Sequence, residues 1–177
     1  IGMGHPLTTA AAETGLYARI LLVEDRPGTT GRMAMALSQL HRVTVEADPL
    51  VAIQVAAEGD FDLALVSLDL QGHDGLRLCS QLRSLDRTRG MPLLMVAEAH
   101  DRARIVRGLD FGVHDYLMRP VDRNELLARA RTQVRRKRYS DVLRGAMQAS
   151  LQMAVTDGLT GLHNRRYLDR QIGPLFG

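Results

Sequence analysis

Arg19–Asp25 reads RILLVED, four consecutive apolar residues from Ile20 to Val23 that run into two acids. An apolar run this short suits a strand covered on both faces, as in a parallel sheet. Outward from it, the same pattern repeats. After a Pro27-Gly28 break, Thr29–Leu40 carries Met33, Ala36, Leu37 and Leu40 at helical spacing. Arg42–Glu46 is a short β-branched run, and Asp48-Pro49 opens a helix over Leu50–Ala57 that Gly59 stops. DLALVSL at Asp62–Leu68 and PLLMVA at Pro92–Ala97 read as strands. Between them Gly72 and Gly75 bracket a loop, and Leu76, Leu78, Cys79 and Leu82 mark a helix. Asp101 is placed to cap a helix carrying Ala103, Ile105, Val106 and Leu109, which Gly112 ends. Asp115–Met118 is a last short strand before Arg119-Pro120. Strands alternating with helices at short spacing predict an α/β fold, a five-stranded parallel sheet wound doubly with helices on both faces.

Composition narrows the class. Among 177 residues, 45% are apolar and only 4% aromatic, so the core must be aliphatic. Cys79 is the one cysteine, which excludes a disulfide framework and a cysteine-based zinc site. Its place in an apolar helical pattern predicts a buried structural thiol, in keeping with a reducing, cytoplasmic setting. Net charge is +3, carried almost wholly by arginine, with Lys137 the sole lysine. No apolar run approaches the ~20 residues of a membrane span, and the first 18 residues lack the pattern of a signal peptide. Residues 1–18 read as linker.

From Asp122 the grammar changes. Helix formers continue to Arg144 and, after Gly145, to about Val155, a helix of roughly 50 Å. Tyr139, Val142, Ala146, Ala149 and Met153 are spaced as in a short coiled-coil seam, beside a second stripe of Leu143, Met147 and Leu151. That predicts a helix that pairs with a partner or connects two domains. Arg129, Arg131, Arg135, Arg136, Lys137 and Arg138 form a basic stretch that would draw a polyanion. The charges spread round the helix and no helix-turn-helix follows, so nucleic acid is not the expected partner. The six histidines show no metal-ligand spacing along the chain.

In parallel α/β sheets, function gathers at the carboxyl ends of the strands. Glu24 and Asp25 lie there, and adjacent carboxylates suit a hard cation such as Mg²⁺. With Asp74-Gly75 after the third strand and DYLMRP at Asp115–Pro120, they resemble the receiver domains of bacterial response regulators over about Arg19–Gln133. That resemblance implies an acidic pair holding Mg²⁺, a phosphoaccepting Asp, a Thr or Ser ending the fourth strand, and a Lys before a Pro. Here those last three positions are Ser67, Ala97 and Arg119. A serine hydroxyl needs a base before it attacks phosphorus. Ala97 donates nothing, and the planar fork of Arg119 is not a compact ammonium. The expectation is a degenerate phosphorylation site that requires no cofactor and binds Mg²⁺ weakly at most through Glu24, Asp25 and Asp69. The competing reading is an active receiver phosphorylated at Asp69 or Ser67. Tyr116 stands where receivers carry a switch aromatic, although ordinary packing of an amphipathic ring is the favoured reading. Arg104, Arg107 and Asp110 on the predicted fourth helix are a candidate dimer face.

Asp157–Arg166 reads DGLTGLHNRR. It resembles the opening signature of GGDEF domains, the diguanylate cyclases that join two GTP molecules into cyclic di-GMP. The residues that carry the likeness are Asp157, Leu159, Thr160, Gly161, Leu162, Asn164, Arg165 and Arg166. The implied organisation is a receiver-like domain over 19–133, a signalling helix over 134–155 and the truncated start of a cyclase over 156–177. The implied role is that of a dimerising adaptor between an upstream receiver and a downstream cyclase, without catalytic activity in this stretch itself.

Overall fold

Alternation along the strands decides which helices cover which face. The computed structural model describes residues 17–163, with side chains as far as Val155. Among the described residues there are seven strands: β1 (Arg19–Val23), β2 (Arg42–Glu46), β3 (Leu63–Ser67), β4 (Asp69–Leu70), β5 (His73–Asp74), β6 (Leu93–Ala97) and β7 (Asp115–Met118). The helices are α1 (Pro27–Ser38), α2 (Pro49–Glu58), α3 (Gly75–Ser84), α4 (Arg102–Asp110) and α5 (Arg123–His163). Five strands form one parallel sheet in the order β2-β1-β3-β6-β7. Leu21, Val23, Ala64, Val66, Leu93, Met95 and Ala97 point to the face covered by α2, α3 and α4. Ile20, Leu22, Leu63, Leu65, Leu94, Val96 and Leu117 point to the face covered by α1 and α5. All these strand residues are essentially buried, which is why their sequence runs show no polar alternation.

The connection reverses direction between β1 and β3, so a crevice opens at their carboxyl ends. Two glycines shape it. Gly72 takes a φ of 75° in the turn between β4 and β5. A Cβ on Gly75 would lie 1.9 Å from the Ser67 carbonyl oxygen, so only glycine lets α3 start against the end of β3.

Several boundaries differ from the sequence reading. Pro27 does not break the chain; it occupies the first turn of α1, where its missing N–H costs nothing. The loop after β3 contains the short antiparallel hairpin β4–β5. Asp101 heads α4 without capping it; its carboxylate accepts instead from the Glu98 amide at 2.8 Å, closing a tight turn over Ala99–Asp101. The chain divides into a unit ending at Lys137 and a second from Arg138. The first boundary falls past Gln133 because Val134 is fully buried among Ala18, Leu37 and Leu126. α5 continues beyond Val155 to His163, taking in the start of the DGLTGLHNRR segment. No helix among the described residues is long and apolar enough to cross a membrane.

Candidate functional site

Glu24, Ser67 and Ala97 follow or end the three inner strands and Arg119 follows the edge strand β7, and the parallel register brings them together at one end of the sheet. Glu24 is almost wholly buried, with its side chain 1% exposed. One of its oxygens accepts from the amides of Asp25 at 3.0 Å and Arg26 at 3.3 Å. The other takes a close charge-assisted bond from Arg119 Nη2. The same nitrogen donates to Ser67 Oγ at 3.0 Å, and Arg119 Nε lies 3.6 Å from Glu98 Oε1. The Arg119 side chain is 8% exposed. Glu98 is shared with Arg26, whose Nη1 donates to it at 2.8 Å. That bond, against some loss from burial, raises the Arg26 pKa above its ordinary value. The result is a chain of alternating charge, Glu24–Arg119–Glu98–Arg26, lying over the Ser67 hydroxyl. Ala97 is buried beside it and offers no polar side-chain atom, although its carbonyl accepts from the Arg119 amide at 2.9 Å.

Asp25 and Asp69 do not join Glu24 around a common centre. The Asp25 carboxylate accepts from the Gln71 amide. Asp69 turns to Arg104, which donates to it at 2.9 Å. Arg104 also reaches Asp101 at 3.0 Å, the Leu68 carbonyl at 2.6 Å and, still closer, Asp74. Burial lowers the Arg104 pKa, but bonds to Asp74, Asp69 and Asp101 outweigh it and hold the guanidinium well above its usual range. This corrects the placing of Arg104 on a dimer face: it is committed to the crevice, while Arg107 and Asp110 remain exposed on α4. A groove of about 650 Å³ runs between Asp25, Asp69, Gln71, Asp74 and Arg104.

The Tyr116 ring is half-buried and packs on the core beneath α2, α3 and α4, the ordinary-packing alternative. Cys79 is a buried thiol, its pKa pushed up to about 12 by burial. Sequence spacing missed Glu98 and Arg26, which are 72 residues apart and meet only through the fold. It also missed His100, whose ring lies 3.6 Å from Asp101. One signal was available: Asp101 and Arg104 sit three residues apart, a spacing that pairs side chains on a helix. Of the DGLTGLHNRR residues, Asn164, Arg165 and Arg166 lie outside the described residues. So do the side chains of Asp157, Leu159, Thr160 and Leu162; Gly161, which has none, lies within α5.

Comparison with known proteins agrees with this architecture. The chain is 45% identical over 173 residues to the response regulator PleD of Caulobacter vibrioides, covering 98% of this chain and 38% of PleD. It is 38% identical over 120 residues to the transcriptional regulatory protein TcrA of Mycobacterium tuberculosis, covering 67% of this chain and 46% of TcrA. The chain thus spans less than half the length of either relative. Among solved structures, it superimposes with a TM-score of 0.61 on the receiver domain of the sensor histidine kinase PA1611 from Pseudomonas aeruginosa. That protein holds a magnesium ion in its active-site cleft. The two share 29% identity over 67% of this chain and 98% of the other. The response regulator receiver domain model matches residues 20–131, and with the parallel sheet and the crevice at its carboxyl ends this places the chain in the response regulator receiver domain family.

Proposed function

We propose that this domain is a receiver that transmits a signal without being phosphorylated, a dimerising adaptor in a cytoplasmic response regulator whose output is a diguanylate cyclase. The observation that carries the proposal is the Arg119 guanidinium, which bonds at once to Glu24 and Ser67. Phosphoryl transfer to this position needs a nucleophile, a metal and room for the incoming group. Ser67 supplies a hydroxyl whose contacts are the Arg119 guanidinium and, at 3.4 Å, the Asp69 carbonyl, neither of which is a base. Glu24 already has its charge matched, and Asp25 is engaged by a backbone amide. Mg²⁺ demands several oxygen ligands at near-ideal octahedral geometry. With Glu24 and Asp25 so engaged, the site binds Mg²⁺ weakly at most, and the adaptor role requires no metal.

Dimerisation is supported by the second unit. Tyr139, Val142, Leu143, Met147, Leu151 and Met153 are all large apolar side chains exposed on α5. A second copy of the same helix covers such a seam in register. A cyclase that makes a symmetric product from two GTP molecules gains directly from bringing two chains together. The cyclase itself is inferred from the DGLTGLHNRR segment and from the near-complete match of this chain to PleD.

The deciding test is the intact mass of the purified chain after incubation with Mg²⁺ and acetyl phosphate, beside a phosphorylatable receiver as control. The expected result is an unchanged mass. A gain of one phosphoryl group overturns the reading, and peptide mapping would then choose between Ser67 and Asp69.

A further inference from the structure

Arg104 stands among more negative charge than it can neutralise. Its two terminal nitrogens contact Asp69, Asp74 and Asp101, three carboxylates against one guanidinium. Asp25 lines the same groove, and the other cation there, Arg26, is bonded to Glu98. Each carboxylate belongs to a different piece of structure. Asp69 opens β4. Asp74 caps α3 by accepting from the Leu76 amide at 3.0 Å. Asp101 closes the turn before α4 and is only 2% exposed. His100 adds an imidazole, 75% exposed and therefore able to turn, with Nε2 at 3.6 Å from Asp101 Oδ1. The ligand atoms of Asp69, His100 and Asp101 all lie within 4.8 Å of one another. One imidazole and two carboxylates are a donor set that suits a borderline divalent ion such as Zn²⁺.

We infer that Asp69, His100 and Asp101 form a latent divalent-metal site whose resident cation is Arg104. The guanidinium ties the β4–β5 hairpin, the start of α3 and the start of α4 together, as a bound ion would. By holding one oxygen each of Asp69 and Asp101, it keeps that ion out. The inference does not depend on whether Ser67 accepts a phosphoryl group, since of its ligands only Asp69 belongs also to the acidic set discussed above. Its consequence is that the conformation of these loops is fixed by the chain itself and does not follow the metal supply.

The test is Arg104→Gln in the full chain, which removes the charge and, being two bonds shorter, withdraws from the carboxylates that Nη1 and Nη2 hold. Zn²⁺ binding is read by calorimetry, and stability by thermal unfolding with and without Zn²⁺. The variant is expected to melt lower than wild type, to bind Zn²⁺ at least ~10-fold more tightly, and to regain stability with the ion. Adding His100→Ala is expected to abolish the gain, whereas His73→Ala, at an exposed histidine on the same groove, leaves it. Equal Zn²⁺ affinity in wild type and Arg104→Gln overturns the inference, as does a gain that survives His100→Ala. Should Arg104→Gln fail to fold, Zn²⁺ added during refolding is expected to rescue it, and failure of that rescue also overturns the inference.

Discussion

Two guanidinium groups, one at each end of the sheet, solve the same problem in opposite ways. At the carboxyl ends, Arg119 is neutralised by carboxylates, Glu24 closely and Glu98 at 3.6 Å. At the other end, half-buried Arg83 is held by backbone carbonyls: Gly112 at 3.0 Å, Arg89 at 2.7 Å and Met91 at 2.8 Å. Its Nη2 also contacts His114 Nδ1 at 3.1 Å. Carbonyl dipoles solvate the charge without cancelling it, and burial lowers the Arg83 pKa. The difference separates scaffold from site. Arg83 stitches the loop before β6 to the loop before β7, which is scaffolding. Arg119 engages the Glu24 carboxylate at the mouth of the crevice, the contact on which the proposed function rests.

The contrast is broken most severely by Arg119→Ala. Truncating it leaves Glu24, 1% exposed, without its counter-charge. Removing one partner of a buried pair typically costs about 3–5 kcal/mol. Urea unfolding is expected to show a loss of that size. The double change Glu24→Gln with Arg119→Met is expected to recover most of it, since the price of a buried pair is mainly desolvation. A loss below about 1 kcal/mol for Arg119→Ala would mean that Glu24 does not depend on this cation.

At the opposite end the uncancelled charge of Arg83 has a pH signature. Burial, and then the charges of Arg83 and Arg136, hold His114 down at about 4 against an ordinary 6.5. Its Nδ1 also accepts from the Leu93 amide at 3.3 Å, which requires a neutral ring. Between those two values the unfolded chain takes up a proton that the folded chain refuses. The contribution is therefore complete above about pH 6.5 and is lost as pH falls toward 4. Discounted for half-exposure of the ring, the effect is about 1–2 kcal/mol. Urea unfolding at pH 7.5 and pH 5 is expected to show a smaller acid loss in His114→Gln than in wild type. Equal losses in the two proteins would remove His114 as the source.

The fold was legible because strands buried on both faces must be continuous apolar runs. Ile20–Val23, Leu63–Val66 and Leu93–Ala97 are written that way. The β4–β5 hairpin was not, because strands of two residues carry no period. At the site, Glu24 was found from its position after a strand, and Ser67, Ala97 and Arg119 from the resemblance to receiver domains. Their mutual bonds were not, since register in a parallel sheet is set by packing among distant segments. Arg104 shows the limit most plainly. Helical spacing put it on the same helix as Arg107 and Asp110, but could not say that three carboxylates wait on one side of that helix. The end of α5 was misjudged for a related reason. Nothing between Val155 and His163 breaks a helix except Gly158 and Gly161, and neither stops this one.

Ser67→Ala is the finest of these probes and the smallest in effect. It removes the hydroxyl that accepts from Arg119 at 3.0 Å and lies 3.4 Å from the Asp69 carbonyl. Arg119 keeps Glu24 and Glu98, so no buried charge is stranded. The expected loss in urea unfolding is about 1 kcal/mol or less, the net worth of one such bond. A loss near that of Arg119→Ala would mean that the hydroxyl, not Glu24, holds the guanidinium in place. A loss at the expected size means that the centre of this site is an ion pair, and that the residue at the end of β3 has become its accessory.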